Sequence, residues 1–248
     1  MLRNELIAWI NQVLEVDNFQ DYAPNGLQVE GREMVQKIVC AVTASRAAID
    51  YAIGQKADML LVHHGMFWKN EMPCIVGWKK ERISRLLAHQ INLLAYHLPL
   101  DAHPKWGNNA MLAERLAWKL EGTAEQGLLN IGRTEKKQSL FEFANHIEQV
   151  LQRKPLVIGD WDKTIENIAW CSGGAQGFFP AVCMDSKIDA YITGEASEAQ
   201  YHYAHETGTA FIAAGHHATE KFGVQALSRA ICDEFGVQSV FFDEENPI

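Results

Sequence analysis

Short runs of β-branched and other apolar residues alternate along this chain with longer stretches in which apolar positions recur every three or four residues. That alternation predicts strands interleaved with helices, an α/β fold with mostly parallel sheets. Strands are predicted at Ile38–Val42, Met59–Val62, Leu93–Tyr96, Leu156–Ile158, Ile168–Cys171, Ala190–Thr193, Phe211–Ala214 and Val237–Phe242. Helical spacing covers Ser45–Gln55, Glu81–Gln90, Asn109–Leu120, Leu140–Gln152, Ser197–Glu206 and Thr219–Glu234. Near the N-terminus, Leu6, Ile10, Val13 and Leu14 share one helical face, and Asn25-Gly26 predicts a tight turn before a short strand, Leu27–Val29.

The two halves of the chain carry a weak internal repeat. Ile38-Val39-Cys40-Ala41-Val42, then Asp58 to His63-His64, then Leu93 to His97 and Asp101 form one copy. Ile168-Ala169-Trp170-Cys171, then Asp189 to Gly194-Glu195, then Phe211 to His216 and Glu220 form the other. In each, a later strand ends in a histidine with a carboxylate four residues on. Two similar α/β domains are therefore expected, the first comprising residues 1–125 with C-terminal residues 220–248, the second residues 126–219. The stretch from Glu121 to Lys137, with Gly122, Gly127 and Gly132, reads as the connection between copies.

Composition narrows the class. With 48% hydrophobic residues, including 7 Trp and 11 Phe, the chain has enough apolar side chain for a substantial core. A formal charge of −9 excludes a broad cationic surface, so duplex nucleic acid is not an expected partner. Five scattered cysteines without a C-x-x-C pair read as reduced thiols. No apolar run approaches the ~18 residues of a membrane span, and Glu5 interrupts the N-terminal segment, so no membrane partner is expected and the cytoplasm is the expected compartment.

In open α/β sheets ligands collect at the carboxyl ends of strands. Three such ends carry His63-His64-Gly65, His97 with Asp101, and His216-His217 with Glu220. Adjacent histidines in extended chain point to opposite sides, so His63 and His64 would share an ion only across a sharp turn, and each holding its own ion is the simpler arrangement. His216 and Glu220, four residues apart at a helix start, point into one site, while His217 faces elsewhere. Asp101 reads as a loop carboxylate suited to bridging two cations. His63, His64, Asp101, His216 and Glu220 are thus candidate ligands for two divalent ions, with positions left for water and substrate. Nitrogen and oxygen donors without thiolate favour Zn, Fe, Mn, Ni or Co. His97 and Glu195, at matching repeat positions, are candidate catalytic residues, as orienters or proton shuttles, or else structural. Ser172-Gly173-Gly174 would either cradle a phosphate or make a tight turn. Trp68, Trp78 and Trp106 would stack on a base or pack within the protein.

Asn25-Gly26-Leu27-Gln28-Val29, Val62-His63-His64-Gly65, His97-Leu98-Pro99-Leu100-Asp101, Ser172-Gly173-Gly174, Thr193-Gly194-Glu195 and Gly215-His216-His217-Ala218-Thr219-Glu220 occur in this order. Together they resemble the GTP cyclohydrolase 1 type 2 homolog family, also called the NGG-interacting factor three-like family, over nearly the whole chain. The resemblance implies two intertwined α/β domains with a dinuclear metal site between them, held at the same five positions. It also implies a homohexameric toroid assembled from trimers and hydrolysis of a nucleotide-like or small cyclic amide or phosphorylated substrate. The alternative it carries is a metal-containing regulatory or protein-interaction scaffold without turnover. Where the family pattern has one histidine this chain has His216-His217, and spacing to Glu220 selects His216.

Overall fold

The computed structural model describes residues Met1–Ile248. The chain begins α1 (Arg3–Val13), β1 (Gly26–Val29), β2 (Lys37–Thr43), α2 (Arg46–Gly54), β3 (Met59–His64), α3 (Gly77–Ala88) and β4 (Asn92–Ala95). It continues through α4 (Leu98–Ala102), α5 (Asn108–Arg115), β5 (Lys119–Ala124), β6 (Leu129–Ser139), α6 (Leu140–Leu151), β7 (Leu156–Ile158) and β8 (Thr164–Trp170). The last elements are α7 (Phe179–Val182), β9 (Ala190–Thr193), α8 (Glu198–Thr207), β10 (Ala210–Ala213), α9 (His216–Phe235) and β11 (Gln238–Phe241). Two compact units result: Met1–Leu100 with Gly223–Glu245, and Asp101–Phe222 with Asn246–Ile248.

In the first unit the strand order is β1-β4-β3-β2-β11, parallel throughout except for β1 against β4. Met59 to Val62 of β3 are fully buried, as expected of a parallel strand covered on both faces, and this is why an unbroken apolar run marks it in the sequence. Ser45 caps α2, its side chain accepting from Ala48 N at 3.0 Å, and Ala48, Ile49 and Ala52 pack with Val39, Leu60 and Val62.

The second unit departs from the expected parallel pattern. Its order is β5-β6-β8-β9-β10-β7, and only β8–β9 and β9–β10 pair in parallel. The stretch Glu121 to Lys137, read from the sequence as a connection, forms most of an antiparallel pair, β5 and β6, with Lys119 opposite Arg133 and Ala124 opposite Leu129. Because β6 continues onto β8, this pair belongs to the second sheet, and the division between units falls at Leu100 and Asp101, where about residue 125 was expected, and again at Phe222 and Gly223, three residues past the expected 219–220. A capping box, Ser139 with Glu142, starts α6, whose Leu140, Phe143, Ile147 and Leu151 pack on Trp118, Ile168 and Trp170.

The two units share one local device. In the first, Asp58 just before β3 accepts from the backbone N–H groups of Gln36 (2.8 Å) and Lys37 (3.0 Å) at the start of β2. In the second, Asp189 just before β9 accepts from Glu166 N (3.0 Å) and Asn167 N (2.8 Å) within β8, just before its parallel pairing with β9 begins at Ile168. Neighbouring backbone bonds match as well: Asn92 N to Asp58 O at 3.0 Å, and Ala210 N to Asp189 O at 2.9 Å. Both braces lie at the amino ends of the parallel strands, leaving the carboxyl ends for polar side chains. No helix is long and apolar enough to cross a membrane.

Candidate metal centre

In the first unit β3 does not stop at Val62 but runs through His63 and His64. Alternation would send the two rings apart, yet at the strand terminus their centroids come to 4.6 Å, and His97 after β4 lies 5.1 Å from His63 and 5.8 Å from His64. One ligating nitrogen from each of these three residues lies within 4.8 Å of the others. The rings are held from behind: His63 Nδ1 donates to the Tyr96 carbonyl at 2.9 Å, and His64 Nδ1 is 3.2 Å from Thr43 Oγ1. His97 Nδ1 donates to Asp21 Oδ1 at 2.9 Å.

Asp21 is a residue that sequence reasoning passed over. Its carboxylate is 3% exposed and accepts further bonds from Asn25 Nδ2 and from the backbone N–H groups of Tyr22, Ala23 and Leu98. Burial pushes its pKa up, but the His97 imidazole and these donors outweigh burial and hold it at about 2. Asn25 Oδ1 accepts from His97 N at 2.7 Å, and Gln28 Oε1 from Met66 N at 2.9 Å. Any side chain at Gly65 would overlap the Gln28 amide. The segment Asn25-Gly26-Leu27-Gln28 therefore ties down the two loops that follow the histidines.

In the second unit Asp101 sits within the short helix α4, not in an open loop as expected. It is 6% exposed, and its Oδ1 accepts from Asn108 Nδ2 at 2.8 Å and Ser172 Oγ at 3.0 Å. α9 starts at His216, three residues earlier than predicted, so His216 and Glu220 occupy successive turns with Nε2 and Oε2 3.1 Å apart. On its other side His216 Nδ1 meets Glu195 Oε1 at 2.7 Å. Burial alone would depress the His216 pKa, but Glu220 and Glu195 override it and raise it to about 9. A carboxylate oxygen of Asp101 lies within 4.8 Å of one of Glu220. Two buried carboxylates this close repel each other, a strain that a cation relieves. Cys171 is close by, but burial foremost, and then Asp101 and Glu220, keep its thiol protonated, so the donor set is nitrogen and oxygen only.

In the glycine loop Ser172-Gly173-Gly174 after β8, two of the three N–H groups are turned inward instead of being left to cradle a phosphate. Ser172 N bonds Asn109 Oδ1 at 2.8 Å and Gly173 N bonds Thr219 Oγ1 at 3.0 Å, so both N–H groups are committed internally. Gly173, at φ +67°, is required because a Cβ there would overlap Glu220 Oε1 and lie 3.1 Å from His216 Nε2. Of the other candidates, Trp68 packs edge-on against His97 at 5.2 Å, and Trp106 stacks on His103 at 4.9 Å. Trp78 is 55% exposed, with Arg82 over its ring. His217 is buried, its backbone N bonded to Ile248 O. A cavity of about 450 Å³ between β6 and α6, bordered by Lys136, Glu142 and His146, contains none of the candidate ligands.

The model of the Duf34/NIF3 (NGG1p interacting factor 3) family matches residues 1–247. The chain belongs to the DUF34/NIF3 family. Among its relatives, the "GTP cyclohydrolase 1 type 2 homolog" of Neisseria meningitidis serogroup A is 60% identical over the whole of this chain and 99% of its own. The solved structure described as "Structural genomics, protein ybgI, unknown function" matches with a TM-score of 0.97 at 47% identity, covering 100% of both chains. The Thermus thermophilus protein TTHA1606 matches with a TM-score of 0.91 at 37% identity, again over 100% of both. The DUF34/NIF3 match thus spans every motif described above.

Proposed function

We propose that this chain is a metal-dependent hydrolase in which His63, His64, Asp101, His216 and Glu220 together hold two divalent ions in a dinuclear centre. The observation that carries this reading is the anchoring of the candidate ligands. His63, His64, Asp101 and His216 are each bonded by the protein at one polar atom, the outer-shell support that metal ligands require. When bound, two such ions supply a water nucleophile near neutral pH and polarise the bond it attacks. The chain's own residues do the rest. Asp101 and Glu220 bring the charge that balances two cations, and Ser172 and Asn108 hold Asp101 in place. Glu195 orients His216 and, with its carboxylate 36% exposed, can pass a proton to solvent; His97 is the second candidate for proton handling.

The substrate class is nucleotide-like or a small cyclic amide or phosphorylated compound, a reading supported by the cyclohydrolase wording in the names of relatives. That wording rests on likeness, so the purine reaction itself is a working assignment. The family descriptor, an interacting factor, favours a second reading: a metal-containing regulatory or protein-interaction scaffold without turnover.

The paired Asp58 and Asp189 braces and the parallel triplets β2-β3-β4 and β8-β9-β10 support descent of the two units from one duplicated ancestor. A homohexameric ring is the proposed assembly. The exposed apolar run Met72, Ile75, Val76 and Trp78 is consistent with self-association, and a native mass of six chains would support it.

Elemental mass spectrometry of the purified protein, followed by a nucleotide panel with and without chelator, tests the function. About two ions per chain with chelator-sensitive hydrolysis is the expected result. Two ions without turnover would transfer the weight to the scaffold, and no metal would overturn the centre.

A further inference from the structure

α9 starts behind a residue that cannot cap it with a side chain. Gly215, at φ +104°, turns the chain from β10 into the helix, and a glycine has no side-chain oxygen to offer the first N–H groups. The acceptor comes from a distant segment: His217 N donates to Ile248 O at 3.0 Å. That segment is pinned by Arg153, whose Nε and Nη2 both donate to Pro247 O, at 3.1 and 2.8 Å. The Arg153 side chain also lies against Gly215, where an added Cβ would come within 2.5 Å of its Cδ. Asn246 Oδ1 accepts from Ile248 N at 2.9 Å and shapes the segment into a turn. All of these residues belong to the second unit.

Asn246, Pro247 and Ile248 are exposed, so burial does not hold them down. An exposed stretch of this kind frays unless polar bonds tie it, and its bonds run to Arg153 and to the first turn of α9. That turn carries His216. His216 Nε2 reaches Glu220 Oε2 at 3.1 Å because residues four apart share a face once the turn is wound. Glu220 lies a turn further into the helix, whereas His216 is at the end that unwinds first. Thr219 gives the turn a hold of its own, its hydroxyl donating to Gly215 O at 2.8 Å, and Ile248 adds the acceptor for the His217 N–H.

We propose that Asn246–Ile248 is a strap that caps α9 at His217 and so holds His216 in position for a metal ion, with Arg153 as the positioning residue of the strap. The proposal rests on the two-metal reading for His216 and adds to it an element outside the ligand set. Arg153 brings two donors in a fixed fork to one carbonyl, where a lysine brings a single mobile ammonium. Removing Arg153 or the strap therefore leaves every candidate ligand in the chain and loosens one of them.

The test is Zn²⁺ affinity, by competition against a chromophoric chelator, in the wild type, Arg153→Ala, Arg153→Lys, a deletion of Asn246–Ile248, and the deletion combined with Arg153→Ala. Arg153→Ala and the deletion should each weaken the more loosely held ion roughly tenfold, and Arg153→Lys should recover part of the loss. The combination should cost no more than either change alone, because both remove one device. In the metal-free chain, amide hydrogen exchange should show the His217 N–H protected in the wild type and faster in Arg153→Ala. Wild-type affinity in both Arg153→Ala and the deletion, additive losses in the combination, or an unprotected His217 N–H in the wild type would each overturn the strap, while two ions on the wild type leave the two-metal reading intact. Affinity that falls only in step with the urea midpoint would assign the effect to general stability and overturn the strap as well. A wild-type chain that binds no ion would sink the two-metal reading and the strap's part in it together.

Discussion

Ser172 Oγ donates to Asp101 Oδ1 at 3.0 Å, across 71 positions of sequence, and Asn108 Nδ2 reaches the same oxygen at 2.8 Å. The carboxylate is thereby fixed at one oxygen. Ser172→Ala should lower the affinity of the metal bound through Asp101 roughly tenfold or more. Competition against a chelator, with circular dichroism as the fold control, measures it; unchanged affinity would show that Asn108 alone suffices.

Gly173→Ala should be far more severe than an added methyl suggests. A non-glycine residue in this left-handed conformation costs about 1–3 kcal/mol, and its Cβ would displace Glu220. The expected outcome is a shift of the urea midpoint together with loss of metal, while Gly177→Ala, where a Cβ meets nothing, leaves metal content unchanged.

Metal binding should compete with a proton at His216. In the metal-free chain its pKa of about 9 lies above the ordinary 6.5, so the imidazolium pair with Glu220 and Glu195 stabilises the fold fully below pH 6.5. That contribution is lost as pH rises through 9. A cation needs the neutral ring, so apparent affinity should climb up to tenfold per pH unit until about pH 9 and then level off. Calorimetry in buffers of different ionisation enthalpy should register a proton released per chain near pH 7.

Asp58→Ala and Asp189→Ala should each destabilise the protein by about 2 kcal/mol, because each deletion strands two backbone N–H groups just ahead of where parallel pairing begins. Chemical denaturation should show the loss with metal content preserved. Loss of metal in either variant would mean that the brace acts on the site as well as on the sheet.

Much of the sheet could be read from the sequence because β2, β3, β9 and β10 are buried on both faces and appear as unbroken apolar runs. β5 and β6 escaped detection for the opposite reason: Lys119, Leu120 and Glu121 of the edge strand are exposed, and along β6 exposed Ile131, Arg133, Glu135, Lys136 and Lys137 break up the buried positions, so no apolar run was there to read. His63, His64 and His97 are brought together within the first unit, and Asp101, His216 and Glu220 within the second. Their supports stayed hidden. Asp21 reaches His97 across 76 positions and Gln28 reaches Met66 across 38, and nothing local in the chain announces either bond. The glycines after β8 were ambiguous because a phosphate loop and a close backbone approach require the same residue.

The braces at Asp58 and Asp189 bear on how such a molecule could have changed over time. Each secures the amino ends of its strands, whereas His63-His64 and Glu195 stand at or just beyond the carboxyl ends of β3 and β9. Substitutions at one end alter chemistry and substitutions at the other alter stability, so the two demands barely compete. A pair of histidines in one unit could give way to Gly194-Glu195 in the other without unsettling either sheet, and the same separation makes the carboxyl ends the place where new donor sets could be installed one residue at a time.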